Sequence, residues 1–136
     1  MRQVFDSFAG FDDFLVYLAV ALVLLALFIA IYIRMTPYRE MALIREGNMA
    51  ASFSLSGSIL GFVVPLSAAV QHSVSLVDMA IWGLIAMLVQ IAAFVSVKLM
   101  MPTVTQDIPA NKGAAGFFLG CFSLAVGVLN AACMSY

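Results

Sequence analysis

Four long stretches of the chain are almost free of charge: Phe14 to Ile33, Met49 to Val70, Met79 to Val97 and Gly113 to Cys133. Charged residues are confined to the segments outside them. About 20 apolar residues make a helix that crosses a hydrocarbon core roughly 30 Å thick, and each run approaches or exceeds that length. The pattern predicts an all-α membrane protein with four transmembrane helices in one membrane domain, residues 1–136. The first run is not read as a cleaved leader. Arg2 stands against Asp6, Asp12 and Asp13, and the run ends in Ile31-Tyr32-Ile33-Arg34 without a small-residue cleavage pattern.

The four runs differ in texture. Span four carries Gly113, Gly116, Gly120, Ser123, Gly127 and Asn130 at steps of three and four. Span two carries Ala50, Ser54, Gly57, Gly61, Pro65 and Ala68 in a similar stripe. Both contain G-x-x-x-G, at Gly57/Gly61 and Gly116/Gly120, where missing side chains let helix backbones touch. Spans one and three are bulkier, with Leu22, Leu24, Leu25, Leu27 and Phe28 in one and Ile85, Met87, Leu88, Ile91 and Phe94 in the other. Helices two and four are therefore expected to lie central, with one and three outside. Pro65 lacks the N–H that would reach the carbonyl of Gly61, so span two is expected to kink there; a static bend and a gating hinge are both open.

The stripes also reveal a repeat. At an offset of 63 residues Asn48 falls on Asn111, Gly57 on Gly120, Leu66 on Leu129 and Ala68-Ala69 on Ala131-Ala132. At an offset of 65, Tyr17 falls on Trp82, Ala21 on Ala86 and Pro37 on Pro102. The chain thus reads as two tandem two-helix repeats, about 12–70 and about 78–135. Each unit has two spans, so both enter the membrane in the same direction, as parallel repeats about an axis along the membrane normal.

With the repeat laid out, several segments carry a resemblance: Thr36-Pro37-Tyr38-Arg39-Glu40, Asn48, Ser56-Gly57-Ser58-Ile59-Leu60-Gly61 with Val64-Pro65-Leu66-Ser67, Trp82-Gly83, Gln90, and Asn130-Ala131-Ala132-Cys133-Met134. Over nearly its whole length the chain resembles the YjfL-like family of small bacterial inner-membrane proteins. The resemblance implies an inner-membrane location and a duplicated four-span plan, but no activity. Members of that family tend to be encoded near envelope-stress and membrane-remodelling proteins, which implies a protein partner.

Composition and charge add an orientation. The chain is 65% hydrophobic and 10% charged, with a net charge of -1, so the lipid bilayer is its expected partner and nucleic acid is not. Five of six basic residues sit in two places: Arg34, Arg39 and Arg45 follow span one, and Lys98 and Lys112 flank the link before span four. The positive-inside rule makes the loops at 34–47 and 98–112 cytoplasmic and both termini external, in a bacterial inner membrane.

Chemistry is sparse. G-x-S-x-G, P-loop and H-E-x-x-H motifs are absent, and His72 has only Asp78 nearby as a ligand-type residue, so no enzyme, metal site or cofactor is expected. Cys121 and Cys133 are too far apart along a helix to be bridged. The deepest polar side chain is Gln90, which must meet another helix or a neighbouring subunit. Asn48 and Asn111 each open a central helix; they read as N-caps, or as amides facing a shared anion-binding vestibule. Arg39, Glu40, Arg45 and Glu46 read as a solvated cytoplasmic cluster on which a soluble protein could dock. The surplus of small-residue stripe, with Gln90 on an outer helix, points to a homo-oligomer. The functional expectation is a non-enzymatic scaffold or accessory subunit, and its alternative an oligomeric channel or facilitator for ions or small solutes.

Overall fold

A computed structural model describes residues 1–134. Its elements are all helical: α1 (Arg2–Phe8), α2 (Phe11–Met35), α3 (Glu40–Arg45), α4 (Met49–His72), α5 (Leu76–Met100), α6 (Val104–Asp107) and α7 (Gly113–Cys133), with no strand among the described residues. The helices containing the four apolar runs are long and apolar enough to cross a membrane.

Helix ends follow local chemistry. In α2 the buried residues Leu24, Phe28 and Tyr32 recur every four positions, and the stripe continues to buried Thr36. Thr36 is extended because Pro37 follows it, so α2 stops there and the chain turns back toward the bundle. Gly47, at φ 87°, ends α3 in a left-handed turn, with Gly47 N–H donating to Ile44 O (3.0 Å) and Asn48 N–H to Leu43 O (2.9 Å). Asn48 Oδ1 then accepts from Ala51 N–H at 2.8 Å and opens α4. Ser75 opens α5 by accepting from Asp78 N–H at 3.1 Å, while the Asp78 carboxylate accepts from Val74 N–H at 3.2 Å.

Two pairs of helices run parallel. Along α4 and α7 the contacts advance together: Gly116 meets Ala50, Gly120 meets Phe53 and Gly57, and Gly127 meets Gly61. These are backbone-to-backbone meetings, and a Cβ added at Gly57, Gly61, Gly116, Gly120 or Gly127 would collide with the facing main chain. The α2/α5 pair advances likewise, from Leu24 against Gly83 to Tyr32 edge-on to Phe94 at 5.6 Å. Helix α4 runs opposite to α5 and stacks Phe62 on Phe28 at 4.6 Å.

One expectation needs correction here. Gly113 does not pack: a Cβ there would meet nothing within 4 Å, because it lies at the start of α7, before α4 and α7 converge at Ala50 and Gly116. Leu24 and Phe28 are packed, 6% and 1% exposed, since α2 seats that stripe on Gly83 and Phe62. Pro65 lies inside its span, which continues as one helix from Met49 to His72.

Candidate functional site

Buried polar groups occur at three levels. At the level where α4, α5 and α7 meet, Gln90 is 2% exposed, and its Nε2 donates to Gly61 O at 3.0 Å and Ser123 O at 3.1 Å. Pro65 has no N–H to offer Gly61 O, so the amide supplies the donor that the proline removes. Gln90 Oε1 has no hydrogen-bond partner among the described residues. Ser58 and Ser123 face each other beside it, Oγ to Oγ at 3.5 Å. Gln90 is therefore enclosed by its own chain, and its amide does not require a neighbouring subunit. That removes one of the two grounds on which self-association was expected.

At the end carrying α3 and α6, two asparagines tie the links together. Asn48 Nδ2 donates to Ile108 O (3.0 Å) and Pro109 O (3.3 Å), fastening α4 to the segment after α6. Asn111 does not cap α7, which follows Lys112 without a side-chain cap. At φ 59° it instead turns its Oδ1 toward α4, accepting from Met49 N–H (3.0 Å) and Ala50 N–H (3.2 Å). Both asparagine side-chain oxygens thus serve the first turn of α4, and this correction leaves that turn without the free donors an anion vestibule needs. Thr103 and Lys112 hold Asp107 at 2.9 and 3.2 Å.

Between these levels lies Glu40, and here the sequence reading fails most clearly. Arg39, Arg45 and Glu46 are exposed, but Glu40 is 0% exposed, because Pro37 turns the chain so that α3 folds its first residue inward. It cannot belong to a docking surface. Among the described residues neither carboxylate oxygen has a hydrogen-bond partner, nor do the buried hydroxyls of Tyr32 and Tyr38. Ser58 lies beside the Tyr32 hydroxyl, Ser54 beside that of Tyr38, and Thr36 beside the carboxyl, although Thr36 Oγ1 donates to Ile33 O and Tyr38 O instead. Burial pushes the Glu40 carboxyl up to about 7 from its ordinary 4.5, with Thr36 acting in the opposite direction. The same burial, with Tyr32 and Glu40 close by, raises the Tyr38 phenol.

The sequence signal for this chamber was the spacing Tyr32, Thr36, Tyr38, Glu40 around Pro37, which places hydroxyl, phenol and carboxyl at one helix end. Toward the other end, Phe62, Pro65, Leu66 and Ala69 of α4 are buried. Asn130 Nδ2 is buried without a hydrogen-bond partner among the described residues. Cys121 and Cys133 are exposed thiols. No cluster of three or more His, Cys, Asp or Glu side chains suited to a metal ion occurs among the described residues.

The chain is similar to known membrane proteins over nearly its whole length. It is 41% identical over 134 residues to the UPF0719 inner membrane protein YjfL of Escherichia coli (strain K12), covering 98% of this chain and 99% of that protein. The YjfL protein of Escherichia coli O157:H7 matches to the same extent, with 41% identity over 134 residues. The UPF0719 transmembrane protein YshE of Bacillus subtilis (strain 168) is 26% identical over 114 residues, 82% of this chain and 84% of that protein. No solved structure matches the chain. A family model described as Domain of Unknown Function (DUF350) matches residues 6–134, and with the YjfL identity this places the chain in the DUF350/UPF0719 family.

Proposed function

We propose that this protein is a non-enzymatic scaffold or accessory subunit of a bacterial inner membrane, built from two tandem parallel two-helix repeats. The observation that carries the reading is the α4/α7 seam, where main chain meets main chain at Gly57, Gly61, Gly116, Gly120 and Gly127. A seam without intervening side chains leaves no lumen between these helices and gives a stiff core. The parallel courses of α2 with α5 and of α4 with α7 support the repeat, and the names of the Escherichia coli relatives support the inner-membrane location. Orientation is read from Lys and Arg placement, with the α3 and α6 links cytoplasmic and both termini external. Arg39, Arg45 and Glu46 then form the exposed charged surface for a cytoplasmic protein partner.

Self-association is part of this reading and uses the outer side of the same seam. A shallow groove there is floored by Gly57 and Gly120, edged by Phe53 and Phe117, and continued by Leu60, Cys121 and Leu124. Small residues on the floor let a helix of a second copy approach closely, and the aromatic edges supply contact area. Oxidative cross-linking of Cys121 in native membranes, in a Cys133→Ser background, tests it. A disulfide-linked dimer lost on Leu60→Trp is expected. An exclusively monomeric product under conditions that oxidise a control membrane thiol would remove self-association from the proposal.

A further inference from the structure

A fully buried carboxyl that accepts no hydrogen bond and pairs with no cation among the described residues is costly in its ionised form, and the groups around Glu40 have a common character. Helix α2 contributes the Tyr32 hydroxyl, the link contributes Thr36 and Tyr38, and α4 contributes Ser54 and Ser58; α5 presents the Phe94 ring to Tyr32. The titratable groups facing Glu40 are therefore the two phenols, which are neutral at physiological pH. Arg39, Arg45 and Glu46 are exposed and make no ion pair with it among the described residues. Three side chains whose buried oxygens have no hydrogen-bond partner among the described residues, Tyr32, Tyr38 and Glu40, are brought by three successive pieces of chain into one buried oxygen-rich cluster, the chamber.

Oxygen-only donors select hard cations. With a single carboxylate, one monovalent ion gives a neutral buried assembly, whereas a divalent ion would leave net positive charge in a low-dielectric interior. We propose that Glu40, with the hydroxyl oxygens of Tyr32, Tyr38, Ser54 and Ser58, forms a buried binding site for one alkali cation, taken up in exchange for the carboxyl proton. The exchange balances: the neutral acid releases H⁺ to solution, the cation enters, and the total charge of the chamber is unchanged. Phe62, Leu66 and Ala69 are buried along α4 toward the far end of the bundle, and the proposal is one of binding alone. It stands independently of the scaffold reading.

The test uses the purified full-length chain in detergent at pH 8 and constant ionic strength, with choline chloride replaced stepwise by NaCl or KCl. Thermal unfolding and carbodiimide labelling of Glu40, located by peptide mass spectrometry, are read in parallel. A saturable rise in melting temperature of several degrees is expected with one of the alkali ions, together with at least a tenfold drop in labelling. Tyr38→Phe should shift the half-saturating concentration upward severalfold, and Glu40→Gln should abolish the thermal response. Identical melting and identical labelling in choline and alkali salts would overturn the site. Labelling that falls with rising pH but ignores the cation would overturn it too, by assigning the chamber to the proton alone.

Discussion

Gln90 donates its side-chain amide to the carbonyl of Gly61 at 3.0 Å, the acceptor that Pro65 leaves without a partner one turn further along α4. A proline that would weaken one helix is thereby converted into a bond between helices, and the same amide reaches Ser123 on α7 at 3.1 Å. Pro65 and Gln90 should be energetically coupled. Gln90→Leu is expected to destabilise the wild-type background by about 1 kcal/mol, within the range of interhelical hydrogen bonds in membranes. In a Pro65→Ala background the loss should be smaller, because the restored N–H can satisfy Gly61 O. A double-mutant cycle on unfolding in mixed micelles measures the coupling, and additive effects would contradict it.

The small-residue stripe is not uniform in what it does. Gly57→Leu and Gly120→Leu force a side chain into facing backbone and should lower the melting temperature by many degrees, at a cost of about 3 kcal/mol or more. Gly113→Leu meets open space and should change it little. Differential scanning fluorimetry on the three variants, with exposed Leu88→Ala as reference, checks the ordering.

Much of the fold was legible because membrane helices announce themselves by length: the four runs fall inside α2, α4, α5 and α7. The polar interior was harder to read. Glu40 lies between Arg39 and Met41, in a stretch that looks solvated, and its burial depends on the chain reversing at Pro37. Hydropathy averages over a window and cannot register a turn that folds one carboxyl inward. Asn111 was misread for a related reason. Its position in sequence matches a cap, but a left-handed backbone directs its oxygen to the neighbouring helix, a tertiary choice that no local signal encodes.

Glu40 makes the stability of the fold depend on pH. Its carboxyl is raised in the fold, from 4.5 to about 7, so the folded state holds the proton more tightly than the unfolded one. Its contribution is complete below pH 4.5 and is lost as pH rises through about 7, at most about 3 kcal/mol for a shift of this size. In choline buffer the wild type should melt at progressively lower temperature from pH 4.5 to 7.5. Glu40→Gln should flatten that part of the profile and exceed the wild type at pH 8. A wild-type profile that matches the variant's would contradict the burial argument.

Orientation is checked by thiol labelling in a Cys121→Ala, Cys133→Ala background. Glu46→Cys, on the link after α3, should resist a membrane-impermeant maleimide in intact spheroplasts, while Val74→Cys, on the link before α5, should react within minutes. The reverse pattern would invert every inside and outside assignment.

The central functional claim, a scaffold rather than a conduit, is tested most directly by solute flux into proteoliposomes. Purified protein reconstituted at increasing protein-to-lipid ratio is assayed for uptake of alkali cations, protons and small neutral solutes. The α4/α7 seam, closed by main-chain contact at Gly57, Gly120 and Gly127, predicts uptake indistinguishable from protein-free vesicles, including for the cation proposed to bind at Glu40. Saturable or selective flux that scales with protein would contradict it.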